Sequence, residues 1–442
     1  MHPEAPTPLT ARKASPLKGV AAVPGDKSIS QRALILGAMA KGQTRITGLL
    51  ESEDVLNTAQ ALRDLGASIT RTGPGAWDVT GAKWQSPAAP LDFGNSGTGS
   101  RLVMGAVAGR NLTATFTGDA SLRSRPMARV VEPLLAFGAT YEGQGPKALM
   151  PLALHGAKDA QGITKEITVA SAQVKSALLL AALSARGTSR ITQTTLTRDH
   201  SEKMLAAFGA NISVTPQGDG ETITLEGPAS LIATAVEVPR DPSSAAFPLV
   251  AALIVPGSEI SIPAILLNPR RTGLIDTLLE MGANITITGR RSSGGEEIGD
   301  LTVRHSHLKG VTVPASRAPS MIDEYPILAV AAAFATGETK MLGLEELRVK
   351  ESDRLAAIAH GLKLNGVAFA ISGDDLTVTG MTFVPGGGTV PTHMDHRIAM
   401  SFLTMGLASL KPVTVDDVAM IATSFPEYRD LMKQLGAVME AP

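Results

Sequence analysis

Two adjacent carboxylates, Asp323 and Glu324, precede an apolar run and could take part in proton transfer. The segment SMIDEYP occupies residues 320–326, and the apolar run covers residues 327–334. Carboxylates at the start of a helix often only interact favourably with the helix dipole. A general base that accepts a proton from a hydroxyl needs a similar placement. The composition of this segment leaves both interpretations open.

Lys27 and Arg32 lie in a segment that could bind an anion. Residues 23–32 read VPGDKSISQR, and a helical run follows. A Pro-Gly turn that leads into a helix presents free backbone N–H groups together with Lys27, Ser28 and Arg32. A Walker phosphate loop is a rival interpretation, but Asp26 interrupts its Gly-Lys-Ser sequence and the glycine spacing is wrong. A capped helix start with surface cations is the plainer interpretation of this segment alone.

A glycine-rich turn around Gly97 and an arginine before a proline are further candidates. DFGNSGTGSR occupies residues 92–101 and leads into an apolar helix. Glycines there would let the backbone approach a ligand closely. Arg125 precedes Pro126, which keeps Arg125 out of helical conformation and lets its guanidinium project into a cleft. Each feature by itself also fits a tight turn or a solvated arginine.

Two later segments offer polar side chains at helix starts. ASAQVKS at residues 170–176 opens an apolar helix and contains Ser171 and Gln173, and TRDH at residues 197–200 begins another helix with Arg198. Their hydroxyl, amide and guanidinium groups could add hydrogen bonds to an anion site.

Two dense charge clusters follow in the second half of the chain. RVKESDR at residues 348–354 has five charged groups in seven residues, and HMDHR at residues 393–397 contains two histidines three apart. Charge runs are usually solvated faces, whereas the histidine spacing suggests a metal site. We expect no metal, because no further ligand set is evident and Arg397 beside His396 would repel a divalent cation. With the anion turns of the first half, these clusters suggest a cleft between domains that binds several phosphate or carboxylate groups.

The overall composition excludes several classes of protein. The 442 residues carry a net charge of -1, so no global basic field favours nucleic acid or an anionic membrane. The chain has no cysteine, which excludes disulfides, thiolate metal sites and cysteine nucleophiles. The longest apolar runs are too short to span a membrane. Residues 1–17 contain four prolines and no signal-peptide core, which predicts a flexible tail on a cytoplasmic protein.

The elements that must position these groups follow a repeat. A helical segment ends in a glycine, and a strand-like stretch begins after one small or β-branched residue. The six copies are spaced by 70 to 84 residues and centre on Gly66, Gly138, Gly209, Gly282, Gly366 and Gly436. Such a unit is a mixed α/β module rather than a short solenoid repeat. The six modules divide as three plus three, with a proline-punctuated linker near Pro239; a common αβ connection would also explain the pattern.

Seven ordered segments closely resemble the 5-enolpyruvylshikimate-3-phosphate synthase family, in its second sequence class. They are PGDKSIS (24–30), GNSGT (94–98), RPM (125–127), SAQVKS (171–176), DEYP (323–326), RVKESDR (348–354) and DHRIAM (395–400). The resemblance implies an α/β (α+β) fold, a two-domain inside-out α/β barrel in which each domain has three βαβαββ units. It implies that residues 18–22 and 240–442 form domain one and residues 23–239 form domain two. The chain would cross a hinge near residues 21–24 and 238–242.

The same resemblance implies a reaction and a set of site residues. The enolpyruvyl group of phosphoenolpyruvate would move to the 5-hydroxyl of shikimate 3-phosphate by addition and elimination, in a monomer and without a cofactor. Asp323 would be the base and Glu351 the proton carrier for C3, with Lys27 assisting. Shikimate 3-phosphate would bind to Lys27, Ser28, Arg32, Ser171, Gln173, Arg198, Asp323 and Lys350. Phosphoenolpyruvate would bind to Lys27, Gly97, Arg125, Gln173, Arg354, His396 and Arg397.

Some positions depart from the family pattern. Thr423 and Ser424 stand where the family often has Lys-Thr, so one phosphate contact is missing or supplied elsewhere. Some glyphosate-tolerant members have alanine at Gly97, so we expect greater sensitivity to that inhibitor here.

Three alternative functions fit the sequence less well. UDP-N-acetylglucosamine enolpyruvyl transferase shares the fold and the donor, but it usually needs a cysteine, which this chain lacks. A non-catalytic phosphate-binding protein would need neither the base nor the C3 acid. An RNA 3′-phosphate cyclase would want a basic face, which the net charge of -1 does not indicate.

Overall fold

The computed structural model describes residues 6–293 and 295–442, along which strands and helices alternate. The strands are β1 (Leu9–Arg12), β2 (Lys18–Val20), β3 (Gln43–Thr47), β4 (Ser68–Gly73), β5 (Ala76–Thr80), β6 (Leu91–Asp92), β7 (Thr113–Thr117), β8 (Thr140–Gln144), β9 (Leu149–His155), β10 (Thr164–Ile167), β11 (Gly187–Gln193), β12 (Ile212–Gln217), β13 (Gly220–Gly227), β14 (Val236–Glu237), β15 (Glu259–Leu266), β16 (Asn284–Ser293), β17 (Glu296–Arg304), β18 (Thr312–Val313), β19 (Glu338–Met341), β20 (Phe369–Ser372), β21 (Asp375–Thr379), β22 (Thr389–Val390), β23 (Val413–Val415) and β24 (Val438–Glu440). The helices are α1 (Lys27–Met39), α2 (Glu53–Asp64), α3 (Gly97–Ala108), α4 (Ala120–Ser124), α5 (Ala128–Leu134), α6 (Ala172–Ala182), α7 (His200–Ala207), α8 (Pro242–Ile254), α9 (Gly273–Glu280), α10 (Ala318–Met321), α11 (Tyr325–Ala333), α12 (Arg354–Leu364), α13 (His396–Gly406) and α14 (Tyr428–Gln434).

As far as the chain is described, it folds into two compact units. Unit 1 contains the residues up to Pro24 together with Arg240–Ser292 and Glu297–Pro442, and unit 2 contains Gly25–Pro239 with Ser293–Glu296. Each unit contains three of the four-stranded sheets found among the described residues. In unit 2 the strand orders are β14-β3-β5-β4, β6-β7-β9-β8 and β10-β11-β13-β12. In unit 1 they are β16-β17-β15-β2, β18-β19-β21-β20 and β22-β23-β1-β24.

The sheets and helices share the repeat that the sequence predicted. In unit 2 each sheet has one parallel pair at an edge, such as β14 with β3, and its other pairs are antiparallel. The six predicted glycines all have positive φ angles, from +73° to +112°. Glycine adopts this left-handed conformation without steric cost, which ends each helix and directs the chain into the next strand.

The predicted flexible tail over residues 1–17 was wrong where the structure describes it. β1 pairs with β23 on one side and β24 on the other, and its residues Leu9 and Ala11 are buried. Pro8 and Pro16 flank the strand rather than interrupt it, so their missing N–H groups do not break the ladder. The N-terminal segment therefore supplies an inner strand to the last sheet of the chain.

The core of each unit is built on helices that are apolar on nearly every face. All residues of α8, α11 and α13 in unit 1 are buried, and these helices pack on one another. In unit 2, α3 packs on α6 in the same way. Helices without a polar face must lie inside, with the sheets outside them. No helix of the described residues is long and apolar enough to cross a membrane.

Candidate active site

Lys27 begins α1 in unit 2, where an acidic side chain from α2 holds its ammonium group. Asp26 caps the helix by accepting a hydrogen bond from the Ile29 N–H at 2.8 Å. Lys27 Nζ lies 2.9 Å from Asp54 Oδ2. Lys27 is partly exposed and Asp54 is buried. No sequence pattern singles out Asp54, because its contact with Lys27 depends on how α1 and α2 pack.

Arg32, on the same helix, is buried and joins three helices of unit 2. Its Nε donates to Ser201 Oγ at 2.8 Å, and its Nη2 donates to Ser176 Oγ at 2.9 Å. Its Nη1 donates to the backbone oxygen of Ser28 at 3.0 Å. The guanidinium thus fixes α1 against α6 and α7.

Gly97, Arg125 and Gln173 come together at the N-terminus of α3. A Cβ atom added to Gly97 would lie 2.8 Å from Arg125 Nη1, which shows how closely the guanidinium approaches the backbone. Gln173 donates from Nε2 to Thr98 Oγ1 at 2.9 Å. Arg101, which the sequence did not single out, donates to Gln173 Oε1 at 2.5 Å. Its position one helical turn after Gly97 was the signal that could have identified it.

Ser171 and Arg198 stand at the starts of α6 and α7. Ser171 is the N-cap of α6, and its hydroxyl accepts from the Val174 N–H at 3.4 Å. Arg198 is half-buried just before α7. The two helices are joined by a buried ion pair, in which Lys175 Nζ lies 2.5 Å from Glu202 Oε1. Unit 2 thus collects the predicted anion-binding side chains on the starts of α1, α3, α6 and α7.

Arg354 lies at the centre of the candidate residues of unit 1 and is fully buried. Its Nη1 is 3.0 Å from Asp323 Oδ1, its Nη2 is 2.5 Å from Glu351 Oε2, and its Nε is 2.8 Å from Asp395 Oδ2. Burial alone would lower the pKa of Arg354, but the charges of these three carboxylates raise it above its ordinary value. Arg354 is therefore a permanent cation that orients both predicted proton-transfer groups.

The remaining predicted residues of unit 1 surround this cluster. Lys350 Nζ lies 3.9 Å from Asp323 Oδ1. His396 and Arg397 begin α13, whose N-cap is Asp395. Thr423 Oγ1 is 3.5 Å from His396 Nδ1, so the residue that replaces the family lysine contacts a predicted site residue.

Asp199, His200 and Glu296 in unit 2 are close enough to one another to hold a metal ion. Lys203 Nζ, however, lies 2.8 Å from Glu296 Oε2 and 3.4 Å from Asp199 Oδ2. Burial would raise the pKa of Glu296, but hydrogen bonds from His200 and Lys203 and their charges lower it. A lysine ammonium among the carboxylates favours an ion-pair cluster over a cation site.

Each unit contributes part of the chemistry that the segments predicted. Cations and helix N-termini can bind phosphate and carboxylate groups. Asp323 and Glu351 can exchange protons once a substrate is positioned against them.

Comparisons with known proteins identify one family along nearly the whole chain. Residues 11–432 match the family model described as EPSP synthase (3-phosphoshikimate 1-carboxyvinyltransferase). A 3-phosphoshikimate 1-carboxyvinyltransferase of Methylorubrum populi is 59% identical, with 99% of this chain and 98% of that protein covered. A protein of the same name from Afipia carboxidovorans is 60% identical, with 99% of each chain covered.

Solved structures agree with these sequence relatives. A structure of EPSP synthase from Acinetobacter baumannii has a TM-score of 0.86 and 41% identity, and covers 98% of this chain and 99% of its own. A second structure from the same organism has a TM-score of 0.85 and 40% identity. The predicted fold class is confirmed.

Proposed function

This chain belongs to the EPSP synthase family, and from that premise we propose that it transfers the enolpyruvyl group of phosphoenolpyruvate to the 5-hydroxyl of shikimate 3-phosphate. The products are 5-enolpyruvylshikimate 3-phosphate and phosphate, and the step belongs to aromatic amino acid biosynthesis. The observation that carries the proposal is the contact of Arg354 with both Asp323 and Glu351. One buried cation thus fixes the positions of both carboxylates, and a general acid or base must be positioned within hydrogen-bond reach of the proton that it transfers.

The addition step needs a base and an acid. The 5-hydroxyl oxygen of the acceptor attacks C2 of the enol while its proton passes to Asp323. C3 takes a proton from Glu351, and the double bond between C2 and C3 becomes a single bond. Lys27 and the arginines offset the negative charge of the phosphate ester, because preorganised cations stabilise charge where it develops.

The elimination step reverses the proton movement at C3. A proton leaves C3 to Glu351, the bond from C2 to the phosphate oxygen breaks, and the enol double bond forms again. The departing phosphate takes up the proton that Asp323 accepted, directly or through water, which restores both carboxyl groups. The oxocarbenium character of C2 is stabilised by nearby carboxylates. Electrons are only redistributed within the substrates, so the reaction calls for no redox partner.

We assign the two substrates to different sets of side chains. Shikimate 3-phosphate is bound by Lys27, Ser28, Arg32, Ser171, Gln173, Arg198, Asp323 and Lys350. Phosphoenolpyruvate is bound by Lys27, the Gly97 turn, Arg125, Gln173, Arg354, His396 and Arg397. The grouping of Gly97, Arg125 and Gln173 at one helix start supports the second set. Arg32 already donates to Ser176, Ser201 and Ser28, so its main contribution is to hold α1, α6 and α7 together.

Phosphate release from phosphoenolpyruvate and shikimate 3-phosphate tests the proposal. We expect release by the wild type and a loss of at least about 100-fold in kcat for Asp323→Ala and for Glu351→Ala, since each removes a proton-transfer group. Glu338→Ala is the control, because Glu338 is exposed on β19 and its carboxylate lies 3.9 Å from Lys340 Nζ, at the limit of an ion pair. A folded wild type that binds the acceptor but releases no phosphate would favour a phosphate-binding protein without catalysis.

From the family resemblance alone we also propose that the enzyme is a cytoplasmic monomer and that glyphosate inhibits it. Light scattering tests the oligomeric state, cell fractionation tests the location, and inhibition against phosphoenolpyruvate tests the inhibitor.

A further inference from the structure

Glu324 follows the proposed base in sequence but is not assigned a part in the reaction. It is 3% exposed. Its Oε1 accepts a hydrogen bond from Ser243 Oγ and lies 3.5 Å from Arg397 Nη1. Its Oε2 has no hydrogen-bond partner within the described part of the chain. A buried carboxylate is costly unless it is paired with a cation and hydrogen-bonded.

Three helix N-termini meet around this carboxylate. Ser243 is near the start of α8, Glu324 is the N-cap of α11, and Arg397 is near the start of α13. These helices pack on one another in the core of unit 1. Each N-terminus carries partial positive charge, which favours a carboxylate at this point. Glu324 therefore lies beside Arg397 at a point of the interior where the helix N-termini favour a carboxylate.

Hydrogen bonds from Arg271 determine the direction in which the Ser243 hydroxyl group donates. Arg271 Nη2 donates to Asp241 Oδ1 at 3.0 Å and to Ser243 Oγ at 3.1 Å. Because the Ser243 oxygen already accepts from a guanidinium, its own proton is directed toward Glu324. Ser243 and Arg397 thus both contact Oε1 of Glu324, so the hydrogen bond from Ser243 fixes the oxygen that faces Arg397.

We propose that Glu324 is a positioning residue, which holds the Arg397 guanidinium in the orientation that binds phosphoenolpyruvate. The inference rests on the proposed function and adds a residue to it. Arginine has several rotatable bonds and a planar set of donors, so a fixed partner at one nitrogen leaves the remaining donors preorganised for the anion. The acceptor substrate is bound by other residues, so the effect of Glu324 is specific to phosphoenolpyruvate.

Glu324→Gln is the informative change, because glutamine keeps the shape and can still accept from Ser243 but loses the charge that attracts Arg397. We expect the KM for phosphoenolpyruvate to rise about tenfold, while kcat and the KM for shikimate 3-phosphate stay within about twofold. A uniform loss of binding for one substrate has this signature. A residue that only stabilises the fold would lower the active fraction and leave both KM values unchanged.

Ser243→Ala is a second test that leaves every charge in place. It removes the donor that fixes Glu324, so we expect the KM for phosphoenolpyruvate to rise, but by less than in Glu324→Gln. In the double variant the two effects should not add, because both act through one contact. Glu338→Gln is the matched control, and its constants should equal those of the wild type.

The outcomes separate this inference from the proposed function. If the wild type releases phosphate but a folded Glu324→Gln variant keeps its KM for phosphoenolpyruvate, or raises both KM values in parallel, the positioning role is overturned and the proposed function stands. If Glu324→Gln does not fold, an unchanged KM in Ser243→Ala overturns the role instead. If the wild type releases no phosphate, the proposed function fails and the inference fails with it.

Discussion

Arg354 donates from Nε to Asp395 Oδ2 at 2.8 Å, and neither side chain is accessible to solvent. The same guanidinium contacts Asp323 and Glu351 through its other nitrogens. Three carboxylates around one buried cation are stable only while that cation is present and well oriented. The geometry of both proposed proton-transfer groups therefore depends on one planar side chain.

Arg354→Lys should separate charge from geometry at this position. Lysine keeps the positive charge, but its compact ammonium group lacks the planar fork of donors with which the guanidinium reaches all three carboxylates. We expect kcat/KM to fall at least about 100-fold and the free energy of unfolding to fall by about 3 kcal/mol. Phosphate release and urea unfolding measure the two quantities. Arg348→Lys, at an exposed arginine of the same segment, is the control, and equal losses in both variants would contradict the prediction.

Gly97→Ala should weaken phosphoenolpyruvate binding through Arg125. The added Cβ would lie 2.8 Å from Arg125 Nη1, so the guanidinium must move away from the α3 N-terminus. The Arg125 side chain is flexible at its guanidinium end, so we expect little change in the stability of the fold. Because the guanidinium is displaced, we expect the KM for phosphoenolpyruvate to rise about tenfold and glyphosate to inhibit less strongly. Gly73→Ala is the control, because its Cβ would meet only ordinary contacts. Unchanged inhibition in Gly97→Ala would contradict the expected sensitivity.

The repeat in the sequence predicted much of the fold because each of its signals is local. A helix, a left-handed glycine and a strand follow one another within about twenty residues, and Gly66 and its equivalents have the backbone angles that this order requires. The N-terminal strand could not be predicted in this way. β1 pairs with strands more than 400 residues later, as the contact of Leu9 with Val415 shows. Its four residues carry no pattern that identifies distant partners.

For the candidate site, too, local sequence signals were informative and contacts between distant residues were not predictable. Residue types in the glycine turns and charge clusters indicated anion binding, and the family resemblance indicated the roles. The partner of each group depends on tertiary packing: Asp54 is 27 residues from Lys27, and Asp395 is 41 residues from Arg354. Glu324 was noticed only as one of two carboxylates at a helix start, and its contact with Arg397 appears only in the folded chain.

A variant that begins at Lys13 tests whether the N-terminal strand β1 stabilises the fold. Without Leu9–Arg12, β23 and β24 lose their common neighbour and expose unpaired edges. The buried Leu9 and Ala11 also leave a gap over α13, because Ala11 packs against Gly406. We expect aggregation or a fall in Tm of at least about 10 °C. A variant with the wild-type Tm would restore the prediction of a flexible tail.

Lys175→Met should destabilise unit 2 more than any surface change. Lys175 is fully buried, and its ammonium lies 2.5 Å from Glu202 and 3.8 Å from Glu221. Methionine fills similar space but removes the cation that pairs with the buried Glu202 carboxylate, which costs about 3–5 kcal/mol. Urea unfolding at neutral pH measures this loss. In the double variant Lys175→Met/Glu202→Gln, part of the lost free energy of unfolding should be recovered. Additive losses in that double variant would show that Lys175 and Glu202 act separately.

Glu51→Gln should change stability in a way that depends on pH. Glu51 Oε1 accepts from Arg71 Nε at 2.7 Å, from Trp77 Nε1 at 2.8 Å and from the Gly75 N–H at 3.1 Å. The hydrogen bond from Arg71 is the largest cause of the lowered pKa of Glu51; burial opposes it, and the bonds from Trp77 and Gly75 add to it.

Because the pKa of Glu51 is lower in the folded chain than in the unfolded chain, its charged form contributes stability above pH 4.5. That contribution disappears as the pH falls through the lower, folded pKa. We expect Glu51→Gln to lose about 1–2 kcal/mol at neutral pH, and we expect the difference from wild type to shrink steadily below pH 4.5. Urea midpoints across that range measure it, with Glu142→Gln, at an exposed carboxylate, as the control. A difference that stays constant down to about pH 3 would mean that glutamine fails to fit rather than that the charge of Glu51 stabilises the antiparallel pair β4–β5, which carries Arg71 and Trp77.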